Sequence, residues 1–163
     1  MQTIIRTKSR SHRRRGVAIV EFAILLPVFL ALVLGIVELG GAGQTANTMT
    51  SALREGGRLA SMDWEDYIPD GMTVNQKVTA DIRTFIKASG LPGDEVTISI
   101  TSAEGGDEGQ DFDLADPDNA LRLFRISAEI PYSAVSTYPA MFMKDQIVTA
   151  SLALRAGRAA MGD

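Results

Sequence analysis

The chain has 163 residues, a net charge of −4, no cysteine and a single histidine. The missing thiols exclude disulfides, thiolate metal sites and cysteine nucleophiles, and His12 lies in a basic tail where it cannot complete a catalytic triad or a zinc site within one chain. The average charge hides a split: residues 1–16 carry six positive side chains and no acid, whereas residues 39–163 carry ten Lys or Arg against eighteen Asp or Glu.

The tail (Arg6, Lys8, Arg10, Arg13, Arg14, Arg15) has no apolar periodicity, so residues 1–15 are expected to be disordered. A hydrophobic stretch follows. Val17–Val20 and the uncharged run from Phe22 to Val37 together reach the roughly 20 residues that a helix needs to cross ~30 Å of hydrocarbon. The stretch predicts a helix that starts near Val17 and runs past the membrane, with a kink at Pro27. Lys and Arg beside such a segment stay cytoplasmic, so the tail is expected inside and the acidic remainder exported. Topology alone accounts for the basic tail, and no nucleic-acid partner is expected. One carboxylate interrupts the stretch, Glu21, and an acid in a membrane segment is a functional candidate that needs a partner. Glu38 and the Gly40, Gly41, Gly43 cluster read as the exit into water.

Residues 44–62 continue the helix with a thin apolar stripe of Ala46, Met49, Leu53, Leu59 and Ala60, weakened and open to bending at Gly56-Gly57. Arg54, Glu55 and Arg58 read as compensating charges on an exposed helix face. A loop over 63–72, with Pro69-Asp70-Gly71 as its turn, precedes a helix from about Thr73 to Ser89. Val74, Val78, Ile82, Phe85 and Ile86 form its apolar face, and Gly90 and Pro92 end it.

Strands come next. Glu95–Thr101 alternates Val96, Ile98 and Ile100 with polar residues. Leu121–Ile130 places Leu121, Leu123 and, past Phe124, Ile126, Ala128 and Ile130 in a similar alternation, and Gln146–Arg155 sets Val148, Ala150, Leu152 and Leu154 on one face. Helices followed by three or more strands predict an α+β body with a small antiparallel sheet. The connection from Pro131 to Met143 carries apolar residues that need cover. Residues 102–119 are glycine-rich and acidic; their spacing fails the EF-hand pattern, so a solvated loop is favoured over a calcium site. Serines and acids occur without a base–nucleophile pairing, so no enzyme, catalytic residue, metal site or cofactor is expected.

The stretch Arg14-Arg15-Gly16-Val17-Ala18-Ile19-Val20-Glu21-Phe22-Ala23-Ile24-Leu25-Leu26-Pro27 resembles the N-terminus of TadE-like pseudopilins of the tight-adherence (type IVc) pilus system. The likeness continues through Leu34-Gly35-Ile36-Val37-Glu38-Leu39-Gly40 and Ala52–Ala60, covering about residues 13–62. The resemblance implies a pilin-like fold and cutting after Gly16 by a prepilin peptidase, with Gly16, Val17, Glu21 and Phe22 as the processing residues. It also implies that Glu21 registers subunits against the new Val17 amine of a neighbour, with Val17, Glu21 and Pro27 serving assembly. Snorkelling of Glu21 into interfacial water is the plainer alternative. The implied organisation is a basic cytoplasmic leader at 1–16, a transmembrane helix at 17–39, a periplasmic helical extension at 40–62 and an exported globular domain at 63–163. The implied role is that of a minor pseudopilin in a bacterial inner membrane, single-pass and able to enter a pilus. Its expected partners are the peptidase, other pilins, the assembly platform and membrane lipid. A single-pass anchor for an exported binding or sensor domain is the alternative. A secreted protein with a signal peptide is disfavoured by the length of the apolar run.

Overall fold

The computed structural model describes residues 11–62 and 68–157. The tail over 1–10 and the first part of the expected loop, 63–67, lie outside the described residues. In order come helix α1 (Ser11–Ala60), helix α2 (Val74–Ala88), strand β1 (Thr97–Ser102), strand β2 (Leu123–Pro131), the short helix α3 (Tyr132–Val135) and strand β3 (Ile147–Arg155). Single 3-10 turns at Gly93–Glu95 and Pro117–Asn119 lead into β1 and β2. The fold is α+β with a long N-terminal helix and a three-stranded antiparallel sheet of order β1-β2-β3.

Two compact units divide the chain, one ending at Val37 and one beginning at Glu38. The first is helical, and every described side chain from Gly16 to Leu34 is exposed, including Phe22, Leu25, Phe29 and Leu32. It is long and apolar enough to cross a membrane. Among the described residues the helix already includes Ser11–Gly16, ahead of the start expected near Val17, in keeping with the good helix propensity of Arg13–Arg15.

In the second unit the core gathers Met49 and Leu53 of α1, Val78, Ile82 and Ile86 of α2, and Phe124, Ile126 and Ile130 of β2. Of the stripe expected on residues 44–62, Met49, Leu53 and Ala60 are buried, with Ala52 added, and Ala46 packs half-buried against them; the Leu59 side chain lies outside the described residues. Thr50 and Ser51 return their hydroxyls to the carbonyls of Ala46 and Asn47, which satisfies these polar groups within the helix itself. Gly56 and Gly57 are sites of close approach rather than weak points. A methyl group on Gly56 would overlap Ile82 of α2, and one on Gly57 would lie 2.5 Å from Leu154 and 3.1 Å from Ile126. Only a helix without side chains there can touch both its neighbour helix and the sheet.

Helix α2 lies within one residue of its expected ends and buries Val74, Val78, Ile82 and Ile86, but Phe85, expected on the same face, is exposed at its edge. Thr73 caps it in a capping box with Gln76, the two exchanging bonds of 3.0 and 3.2 Å. Strand β2 differs more from the expectation. Leu121 has a positive φ of 63° and stays outside the strand, and Phe124 opens the buried series Phe124, Ile126, Ala128, Ile130 without a break. Leu121 and Leu123 lie off that face, so the series has no interruption at Phe124. The opposite face of the sheet is polar (Thr97, Ser99, Ser127, Glu129, Thr149, Ser151) and exposed or half-buried. Among the described residues no strand pairs with the outer edge of β3.

The acidic segment 102–119 is more than a solvated loop. Phe112 and Leu114 are buried within it, Phe112 stacking on Phe124 with ring centroids 5.5 Å apart. Two apolar residues flanking Asp113 are the signal that its net charge concealed.

Candidate functional site

The processing and assembly candidates all fall on the exposed first part of α1. Val17 and Glu21 stand one turn apart, about 6 Å along the axis. Phe22 is beside Glu21 and as open to the surroundings as Val17. Gly16 has open space where a Cβ would stand, so packing among the described residues does not require glycine there. Pro27 lies inside the helix and has no N–H, which leaves the Ala23 carbonyl without its intrahelical donor. The helix continues through it as one element.

The second carboxylate of the apolar stretch behaves differently from its sequence reading. Glu38 does not mark a solvated exit. It is 7 % exposed, and its two oxygens accept three backbone N–H groups from the connection between α3 and β3. Oε1 accepts from Met141 at 2.6 Å, and Oε2 accepts from Phe142 and Met143 at 2.9 Å each. Consecutive N–H groups converging on an anion form a small backbone nest. One turn further, Gly41 leaves room for the buried Tyr132, whose hydroxyl would be 3.3 Å from a Cβ there. Tyr132 opens α3 and donates its N–H to Gln146 at 2.9 Å, so the whole connection from 132 to 146 is tied at both ends. Sequence spacing could not pair Glu38 with residues a hundred positions away. The available hint was a lone acid at the end of an apolar run.

Arg122 is the main cation of the acidic segment, with Arg125 3.5 Å from Glu108 beside it. Arg122 donates to both carboxylate oxygens of Asp107 at 2.7 and 2.8 Å and to Asn119 at 2.9 Å, and its guanidinium lies 5.9 Å from the Phe112 ring centre. That bond from Arg122 holds the Asp107 carboxyl below its ordinary range. Glu104 accepts the Leu123 N–H at 2.8 Å, and Asp113 and Asp116 cap the backbone of their own turns at 2.9 Å. Glu104, Asp107, Asp113 and Asp116 are committed to local structure, and among the described residues no three acids of the segment converge to hold a metal ion. Between α2 and β1 lies an open groove of about 530 Å³ lined by Asn75, Thr79, Arg83, Ile98 and Asp111 among others. Asn75 and Arg83 are already engaged, with the Phe112 and Leu114 backbone and with the Gly93 carbonyl respectively.

Residues 16–58 match the model of the TadE-like protein family. Over that segment the chain is similar to TadE-like proteins. The matched segment holds Gly16, Val17, Glu21, Phe22 and Pro27, and also Glu38, Gly41, Gly56 and Gly57. The TadE-like pattern thus covers both the exposed apolar helix and its packed continuation, where these glycines admit Tyr132, Ile82 and Leu154. No curated protein and no solved structure matches the chain.

Proposed function

We propose that this chain is a minor pseudopilin of a tight-adherence pilus, a structural assembly subunit rather than a catalyst. The TadE-like match associates the chain with the pilus system in general. The observation that carries the finer reading is the order Arg15-Gly16-Val17 followed by Glu21-Phe22 at the head of an exposed apolar helix. Gly16 keeps the scissile backbone uncluttered and is not demanded by packing, which suits a bond presented to a prepilin peptidase at the cytoplasmic face. Cutting there removes the basic tail and creates one amine at Val17. Glu21 then offers a carboxylate to the Val17 amine of an incoming subunit, an ion pair that fixes the axial register of packed helices. The apolar helix anchors the protein in the inner membrane until it is taken into or beneath the pilus, with the acidic body on the far side.

Intact mass and N-terminal sequencing of the protein from its native membrane test the processing step. The expected chain begins at Val17; one beginning near Gly43 would identify a secreted protein cut by signal peptidase, and an uncut chain would remove the pseudopilin reading. Glu21→Ala is expected to remain cleavable and to reduce piliation and surface attachment. Normal pili in a strain carrying only that variant would refute the registering role.

A further inference from the structure

We propose that the connection around Tyr138, Met141 and Phe142 is a membrane-interface anchor, seated on lipid headgroups and the adjoining acyl chains. The inference rests on the reading of a membrane span over 17–39, of which residues 17–37 are taken to cross the hydrocarbon. That run of 21 residues rises about 31 Å as a helix, so its apolar length is used up at Val37 when it crosses ~30 Å of hydrocarbon. Glu38 is the next residue, and its carboxylate therefore falls at the hydrocarbon boundary. An acid there needs donors, and it takes them from Met141, Phe142 and Met143 rather than from water. Those bonds of 2.6–2.9 Å bring the connection to the depth of Glu38.

The side chains on that connection are the wrong ones for water. Tyr138 is 70 % exposed, Met141 67 % and Phe142 56 %, and Leu39 next to Glu38 and Ile147 at the start of β3 are comparably open at 64 % and 60 %. Each has an apolar mass, and the tyrosine adds a hydroxyl, the combination that is enriched where hydrocarbon meets headgroups. Lys144 follows at an exposed position and is available to lipid phosphate. Lipid is the occupant, because the patch is joined through Glu38 to the end of the span.

The chain has no cysteine, so single-cysteine spin labels report one position each. Phe142→Cys, Ile24→Cys and Ser151→Cys would be labelled in the full chain and placed in vesicles of phosphatidylethanolamine and phosphatidylglycerol. Collision rates with oxygen, which partitions into lipid, and with a water-soluble nickel chelate would then be compared. The expected oxygen-to-nickel ratio is several-fold higher at 142 than at 151, approaching that at 24. In a Glu38→Ala background the ratio at 142 is expected to fall towards that at 151. A water-like ratio at 142 with a lipid-like ratio at 24 would overturn the anchor and leave the span intact. A water-like ratio at 24 would overturn the span and the anchor with it. Dipolar broadening at 142 would make a second copy of the chain the occupant and overturn the lipid assignment.

Discussion

A single amide carries much of the contact between α2 and the acidic segment. Asn75 donates to the Phe112 carbonyl at 2.6 Å and accepts from the Leu114 N–H at 2.9 Å, imitating a strand neighbour at the place where Phe112 and Leu114 enter the core. Asn75→Ala is expected to destabilise the full chain by about 1–3 kcal/mol, since two backbone groups lose partners. Urea titration in mild detergent checks the size, and hydrogen exchange at Phe112 and Leu114 checks the location. The Glu55–Arg58 pair is the contrasting case. At 3.5 Å and with both side chains more than half exposed, it contributes little, and neutralising either residue should leave the midpoint nearly unchanged. Asp107 supplies the pH dependence. Its bond from Arg122 lowers its folded pKa below the ordinary 3.8, so the unfolded chain binds more protons in acid. That contribution is complete above 3.8 and is lost as pH falls through the folded value. The Asp107→Asn variant should therefore show a flatter decline of the urea midpoint below about pH 4 than the parent.

At the scale of elements, α1 meets α2 and the sheet through two glycines. The crowding at Gly56 involves Ile82 backbone atoms 3.1 Å from a built Cβ as well as its side chain, so rotation of a rotamer cannot relieve it. Gly56→Ala is expected to cost about 1–3 kcal/mol, although alanine is intrinsically the better helix former by about 1 kcal/mol. Packing outweighs propensity here, and a thermal midpoint raised by the substitution would contradict that. The Phe112–Phe124 stack joins the acidic segment to β2. Phe112→Ala should remove about 3–5 kcal/mol and release the segment to proteolysis.

At the scale of the molecule, one helix serves two environments. Its first part leaves Phe22, Phe29 and Leu32 uncovered, as lipid or neighbouring helices require, and its last part buries Met49 and Leu53 in a protein core. Glu38 stands at the change between them. Its loss should weaken the 132–146 connection while sparing α2 and β1, which limited proteolysis of Glu38→Ala would map to the neighbourhood of Met141–Met143.

The sequence by itself determined what short-range periodicity encodes. The apolar length of the first helix, the span and most of the buried face of α2, the inward residues of β3 and the α+β class were all legible, because spacing of 3.6 or 2 along the chain reflects one buried face per element. Gly16, Glu21 and Phe22 were legible as a motif, and their chemistry awaits the cleavage and piliation experiments. Only the tertiary structure decided the positions whose partners are distant. Glu38 reads as an exit to water until Met141–Met143 surround it, Gly56-Gly57 reads as a weak point until Ile82 and Leu154 fill the space, and the acidic run hides Phe112 until Phe124 meets it. In each case local composition described the residue's cost in isolation, and a contact made far along the chain reversed the sign.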